Sequence, residues 1–404
     1  MSAATDQPDG GFRISQLIYD TRYRSYTVQI FAMIVLMLSF AWLIDNAIQN
    51  LARLGKDFNF GFLFETASYD INQRLIDYDS TSTHGRAAIV GILNTLLVAL
   101  MGCITATIIG VIAGVLRLSN NWLVARLMTV YVEAFRNVPV LVWILIIVAV
   151  INESLPAPNA FRGENGLDGF LWESVFLTNR GFYIPMPTFQ DGSMFVVIVF
   201  LLSLAAIVFF GRYAKKRQEE TGDILPTFWI KLGIFFVPSL LVFFIMGMPI
   251  GLEYPALKGF NFKGGIFMRD SLIGLWLALS IYTGAFIAEN VRAGILSVSK
   301  GQSEAAFALG LRPNRTMNLV ILPQALRVII PPLISQYLNL TKNSSLAIAV
   351  GYMDARSTLG GITINQTGRE LEGMLLLGLF YLVLSLLISS AMNIYNASVK
   401  LKER

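Results

Sequence analysis

Residues Gly301-Gln302-Ser303-Glu304-Ala305-Ala306-Phe307-Ala308-Leu309-Gly310-Leu311-Arg312-Pro313, closed by Val320-Ile321-Leu322-Pro323, form the longest basic, semi-polar segment between two strongly apolar ones. Ser303 is suited to cap a short helix, with Glu304 favourable at the positive N-terminal end. Gly310 can supply the left-handed residue that stops it. Pro313 suits the first turn of a second helix, which Pro323 is expected to interrupt before the next apolar run. The expected object is a helix, a sharp turn and a helix on a membrane face. Ala305, Ala306 and Gly310 would leave one side nearly bare of side chain, so that another protein's backbone could approach closely.

Outward from this stretch, composition decides the class. Hydrophobic residues make up 55% of the chain and charged residues 14%, with a mean hydropathy of +0.61; soluble domains carry about a quarter charged residues. An all-α, polytopic membrane protein is expected. Apolar runs of about 20 residues can span a bilayer, and eight candidates are present: Thr27 to Ala47, Ala87 to Leu116, Leu127 to Ile151, Ser193 to Gly211, Trp229 to Pro249, Ser271 to Ile295, Ala325 to Val350 and Glu372 to Tyr395. Glu133 and Arg136 fall near the start of the third, and Pro331-Pro332 is expected to break the seventh. Met1 to Gln16 is polar and partly acidic, so no cleavable signal peptide is expected and the first span reads as an anchor. No internal repeat is visible.

An even number of spans puts both termini on one side, and the lysine and arginine bias chooses it. Arg13, Arg22 and Arg24, Arg117 and Arg126, Arg212 to Lys231, Lys300 to Arg327, and Lys400, Lys402 and Arg404 all fall on one face, which should be cytoplasmic. The opposite loops, Glu153 to Asp191 and Lys56 to Arg86, carry an excess of acids. Glu253 to Asp270 dissents, with Lys258, Lys263 and Arg269 against two acids. The net charge of +5 is spread over loops without a basic stripe interleaved with aromatics, so it reads as topological rather than as a nucleic-acid surface.

Single cysteine and histidine residues, Cys103 and His84, exclude an internal disulfide and argue against a protein-only zinc site. Cys103 reads as a packing residue and His84 as an exposed loop residue. Gly110-x-x-x-Gly114 reports close helix packing. Polar groups within spans need a partner or a job. Glu133 with Arg136, and Glu289 with Arg292, are three apart and can pair on a helical face. Lys342, Asn343, Ser344 and Ser345 lie within the seventh span and Asn94 and Thr95 open the second; both sets suit either helix-to-helix hydrogen bonding or the lining of a pathway. A phosphate-binding glycine loop is absent, since Gly55-Lys56 is followed by Asp57, and no Gly-x-Ser-x-Gly, His-Glu-x-x-His or Cys/His cluster is found. No cofactor or metal is expected in this chain.

Glu304-Ala305-Ala306, three residues, Gly310, nine residues, Val320, one residue and Leu322-Pro323 resemble the cytoplasmic loop of ABC-importer permease subunits, with Val320 where that family usually has Ile. The flanks Ala285 to Gln302 and Leu340 to Leu346, with Asn94-Thr95 and Glu133 to Pro139, are similar to the polar amino-acid branch, of general L-amino acid transporter type. The resemblance covers roughly the second half and two segments of the first. It implies a type I importer permease core at 87–151 and 271–404, an N-terminal anchor and periplasmic loop at 1–86, and an insertion with two extra helices at 152–270. It further implies a bacterial inner-membrane subunit without catalysis, receiving polar amino acids from a periplasmic binding protein. Its partners would be two ATPase subunits, docked at Glu304, Ala305, Ala306, Gly310, Leu322 and Pro323, and a second permease chain; the insertion and extra anchor favour a heterodimer. A transporter driven by an ion gradient is the alternative, although such folds usually show inverted repeats and several broken helices. A membrane scaffold would have no use for a docking loop.

Overall fold

The computed structural model describes residues 21–53, 55, 58–163, 166–223 and 225–399. The expectations for Met1 to Gln16, Arg13, Lys56, Asp57 and the basic C-terminus Lys400, Lys402 and Arg404 fall outside these residues. Two units are distinguished, one ending at Leu63 and one running from Phe64.

The first unit holds α1 (Thr21–Arg53), whose large apolar side chains, Ile30, Phe31, Leu38 and Trp42 among them, are uncovered all round. A helix apolar on every face and covered on none suits a surrounding of lipid.

The second unit is built from α2 (His84–Leu116), α3 (Trp122–Asn137), α4 (Val140–Ser154), α5 (Ser193–Thr221), α6 (Thr227–Ile245), α7 (Asp270–Leu296), α8 (Lys300–Ala308), α9 (Leu322–Asn343) and α10 (Glu370–Val399). Among the described residues, eight helical stretches are long and apolar enough to cross a membrane: α1, α2, α4, α5, α6, α7, α9 with its flanks, and α10.

The third span is shorter than hydropathy suggests. Leu127 to Ile151 is two helices, because Val138 is extended (φ −113°, ψ 136°) before Pro139, as the proline ring requires of its predecessor. Phe135 stacks on Trp143 across the bend, with ring centroids 4.0 Å apart. Glu133 and Arg136 therefore lie on α3, ahead of the span. The seventh span departs in the opposite sense. Pro331 and Pro332 sit inside a continuous α9, and regular α-helix ends only at Asn343, where a 3-10 turn Ser344–Val350 begins.

The centre of the fold is α7, with 72% of its most apolar stretch buried against none for α6. The more apolar helices α5 and α6 are the uncovered ones. Small and hydroxylic residues explain this inversion: in a bilayer, close backbone approach and interhelical hydrogen bonds hold helices together where oiliness cannot. A Cβ on Gly110 would lie 2.5 Å from Ile287 Cβ, and one on Gly114 2.7 Å from Ala288 O, so the glycine pair in α2 does admit α7. Thr105 Oγ1 and Ser280 Oγ are 2.5 Å apart, Trp276 Nε1 donates to Thr105 at 3.1 Å, and Tyr131 Oη donates to Ile281 O at 2.6 Å. Leu272, Leu275, Leu279 and Ile287 of α7 form one core with Val98, Ile144, Ile329 and Leu340.

Helices α5 and α6 pack mainly on each other. The chain before and after this hairpin is stitched together by short antiparallel strands: β1 (Phe176–Thr178), β2 (Gly181–Ile184) and β3 (Met186–Phe189) on one side, β4 (Ile250–Glu253), β5 (Ala256–Lys258), β6 (Asn261–Lys263) and β7 (Ile266–Arg269) on the other. Sheet order is β1-β2-β7, with β3-β4 and β5-β6 as separate pairs, and β2 meets β7 with Gly181 opposite Arg269 and Ile184 opposite Ile266. The dissenting basic loop Glu253 to Asp270 thus shares a face with the acidic loop Glu153 to Asp191.

Candidate functional site: the loop at α8 and the polar core

The loop is a helix, a tight stop and a second helix, as the sequence implies, but its details differ. Helix α8 begins at Lys300 with Ser299 as its cap residue, one turn earlier than expected, so Ser303 lies inside the helix and caps nothing. Glu304 stands in the second turn, exposed. The stop is a Schellman motif: Leu311 N donates to Ala306 O at 3.1 Å and Gly310 N to Phe307 O at 2.9 Å. Gly310 has φ +76°, which an L side chain adopts only at a cost. Pro313 opens the next turn behind Arg312.

Pro323 does not interrupt the second helix. A π turn, Met317–Ile321, precedes it, with Leu322 N donating to Met317 O. The wider turn relieves the clash a proline ring makes with the carbonyl four residues back, and helix continues into α9. Ala306 also faces inward, 4% exposed, while Ala305 and Gly310 face outward. The uncovered surface is not bare. Leu309 is 82% and Phe307 50% exposed, flanking a glycine with nothing within 4 Å of where its Cβ would be.

Two connections tie this loop to the core. Gln324 Nε2 lies 3.4 Å from Gln302 Oε1 and donates to Val320 O at 3.0 Å, joining α8 to the start of α9. At the end of α7, a Cβ on Gly294 would be 2.3 Å from Ile329 Cγ1, so α7 and α9 touch with no slack.

Beside the loop, the ends of α2, α3 and α7 share a charge network. Glu289 pairs with Arg292 at 2.7 Å, as its spacing implies. The expected pair of Glu133 with Arg136 does not form: Glu133 faces Arg117 at 3.8 Å and Arg136 faces Glu289 at 3.9 Å, because the bend at Pro139 swings α3 across α2 and α7. Arg117, its side chain 8% exposed, is also bonded to Glu289. Arg117 as hub is not readable from sequence, where it counts only as a topological charge.

The polar residues of the spans separate into two groups. Asn94 and Thr95 are fully buried. Asn94 Nδ2 donates to Gln73 O at 2.7 Å and to Met353 O at 2.9 Å, and Thr95 Oγ1 accepts from Ala355 N at 3.0 Å. Both clamp the segment after α9 onto α2. Ser344 is buried as well, with its hydroxyl on Thr341 O at 2.7 Å, and Ser345 donates to Lys342 O at 2.7 Å. Lys342 is exposed and Asn343 half-buried, and neither has a side-chain hydrogen bond or ion pair among the described residues. His84 is not an exposed loop residue: it is 3% exposed, in the first turn of α2, with Nδ1 3.1 Å from Thr363 Oγ1. Cys103 is partly buried against the core.

A further acid is not apparent from hydropathy or spacing. Asp354 is fully buried and caps the turn Ala355–Ser357 by accepting from Ser357 N at 2.9 Å. Its signal in the sequence is the cap pattern Asp354-Ala355-Arg356-Ser357.

A largely buried central helix, close-packed glycines and eight stretches able to cross a bilayer among the described residues define a polytopic membrane protein. The description "binding-protein-dependent transport system inner membrane component" matches residues 222–401. The chain is 53% identical, over the whole length of both proteins, to the glutamate/glutamine/aspartate/asparagine transport system permease protein BztB of Rhodobacter capsulatus. It is 46% identical to the general L-amino acid transport system permease protein AapQ of Rhizobium johnstonii, over 98% of this chain and 96% of that one. Identity to the putative amino-acid ABC transporter permease protein YhdX of Escherichia coli is 42%, over 94% and 95% of the two chains. The protein belongs to this family of ABC-importer permeases: it is a multi-pass inner-membrane transport component and not an enzyme. That membership does not favour an ion-gradient mechanism.

Proposed function

We propose that this chain passes polar L-amino acids across the inner membrane, receiving them from a periplasmic binding protein and moving them with ATP hydrolysed on separate subunits. The names of the relatives support the substrate class. One structural observation carries the coupling: α8 ends in a Schellman turn whose uncovered Phe307, Leu309 and Gly310 sit on a segment that the π turn joins to α9, and α9 in turn packs tightly on α7 at Gly294. Glu304, Ala305, Gly310 and Leu322 offer the docking surface to the ATPase, Ala306 anchors it from behind, and Pro323 with the π turn transmits its movement. Both termini lie in the cytoplasm. Asn343 and Lys342 line the pathway, with Ser345 beside them, while Asn94, Thr95 and Ser344 hold the wall that carries it. The insertion at 152–270 and the anchor at 1–86 favour pairing with a different permease chain.

Gly310→Val tests the coupling. The cost is backbone strain of about 1 to 2 kcal/mol, confined to the stop, because space for a side chain is open. Expected is a complex that inserts normally and retains the other subunits weakly or uncoupled, with uptake reduced at least tenfold. Wild-type uptake by Gly310→Val would remove the docking role.

A further inference from the structure

Where the stitched outer loops meet the core there is a polar cavity of about 430 Å³, within the range of small-ligand sites, which begins at about 300 Å³. None of the residues that line it belongs to α8 or to the run Lys342 to Ser345. Its wall is contributed by three parts of the chain: Asn152 at the end of α4, Asn179 and Arg180 at the β1-β2 turn with Asn261 of β6, and Arg269 with Asp270 at the start of α7.

The charges are arranged with one cation to spare. Asp270 Oδ1 is 3.6 Å from Arg269 Nε, and the Asn152 amide, turned to satisfy its neighbours, donates to Asp270 Oδ2 at 3.3 Å and to Asn179 O at 3.2 Å. Arg180 has no carboxylate within reach among the described residues. Arg180 is exposed, and its guanidinium hydrogen-bonds the carbonyl of Phe260 at 3.4 Å. Asn179 Oδ1, behind this surface, is buried with no hydrogen-bond partner among the described residues. The positions of these groups are held by backbone: Arg269 N donates to Gln73 Oε1 at 3.0 Å, and Asn179 N to Pro156 O at 3.1 Å.

We infer that this cavity is a binding site for a free α-amino acid on the outer face, in which Arg180 takes the α-carboxylate, Asp270 the α-ammonium, and Asn261 Nδ2, whose Oδ1 partner accepts from Tyr183 Oη at 2.7 Å, the polar side chain. A planar guanidinium fits a carboxylate bidentately, and Asp270 in the same wall is what distinguishes a zwitterion from the plain anion that the spare cation alone would take. The site is a station between release from the binding protein and entry to the membrane pathway. It rests on the chain's being an amino-acid importer, and adds a place that the coupling loop does not touch.

The test is thiol protection on the whole complex, with Cys103→Ala as background and Phe267→Cys, at a lining position given no ligand contact, as reporter, in lipid nanodiscs without the binding protein. L-Glutamine should slow maleimide labelling of the reporter, whereas N-acetyl-L-glutamine, lacking the ammonium, and isoglutamine, lacking the α-carboxylate, should not. Arg180→Gln and Asp270→Asn should each raise the half-protecting concentration about tenfold or more. The complex with native Phe267 gives a second reading: Arg180→Gln should raise KM for binding-protein-dependent uptake. Labelling unaffected by L-glutamine, in a complex that imports it with KM unchanged by Arg180→Gln, overturns the site and leaves the transport function standing. Equal protection by succinate makes the cavity an anion site and overturns the assignment. Protection in a complex that imports no amino acid upholds the site and overturns the transport function.

Discussion

At the scale of single residues, the consecutive run Lys342 to Ser345 divides by what each side chain touches. Ser344 is fully buried with its hydroxyl returned to Thr341 O, whereas Asn343 is half-buried and makes no side-chain hydrogen bond to a described residue. Replacing each by Leu should therefore fail differently. Ser344→Leu overpacks a closed site, at a cost of about 1 to 3 kcal/mol, and should lower the thermal stability of the purified complex with substrate preference unchanged. Asn343→Leu should leave stability near that of the wild type and change uptake rate or the ranking of transported amino acids. Thermal unfolding and uptake measured on the same preparations decide it; a stability loss with unchanged preference in Asn343→Leu would make it helix glue. Adjacent polar letters carry no record of which side is covered, and that is why the run reads as one feature in sequence. Ala306 shows the same inside the coupling motif: Glu304, Ala305 and Ala306 are contiguous, yet only the last is turned into the fold.

At the scale of elements, the segment between the seventh span and α10 is a folded plug, stapled to α2 by Asn94, Thr95 and Tyr352, whose Oη donates to Asn94 O at 3.1 Å. Burial pushes the Asp354 carboxyl in this plug up from the ordinary 3.8 to about 6. Between those values the folded chain keeps a proton that the unfolded chain has lost. Stability from this group is then complete below about pH 4 and is lost as pH rises through 6, on the order of 2 to 3 kcal/mol. Asp354→Asn keeps an oxygen for Ser357 and cannot titrate, so its melting temperature should flatten between pH 4.5 and 7 where the wild type declines; parallel curves would exclude Asp354 as the source. Hydropathy made the eight spans legible because lipid demands length and apolarity of each. It ran α3 into α4, since one extended residue before one proline is too short a break to lower the mean over a span, while the proline pair Pro331-Pro332, expected to break the seventh span, does not, since a missing donor inside a packed bundle is tolerated. The π turn before Pro323 and the strands of the outer loops have no periodic signal, being set by contacts distant in sequence.

At the scale of the whole molecule, charge and strand pairing bear on one question, which face each loop occupies. Lysine and arginine counts put Arg212 to Lys231 with the loop at α8, and set Glu153 to Asp191 opposite. Glu253 to Asp270 broke the count, and its three basic residues would alone send it to the cytoplasmic side. Backbone pairing overrides them: β2 and β7 exchange hydrogen bonds along their length, so two loops separated by α5 and α6 must lie on one side. The hairpin α5-α6 then leaves and returns to that face, with its basic turn at the other end, where Lys215 and Lys216 are paired with Glu219 and Glu220 at 3.9 and 3.7 Å. Local charge bias is worth little against a folded loop already anchored by a sheet, because each basic side chain there is exposed, as Lys258 and Lys263 are, or paired, as Arg269 is with Asp270. Cysteines introduced singly into a Cys103→Ala chain test this. With intact cells and a membrane-impermeant maleimide, Lys258→Cys in β5 should be labelled, and Gln218→Cys, exposed near the end of α5, only after the membrane is opened. Labelling of Gln218→Cys in sealed cells would reverse the orientation. Protection of Lys258→Cys in those same cells would mean that the charge count, and not the sheet, places the loop.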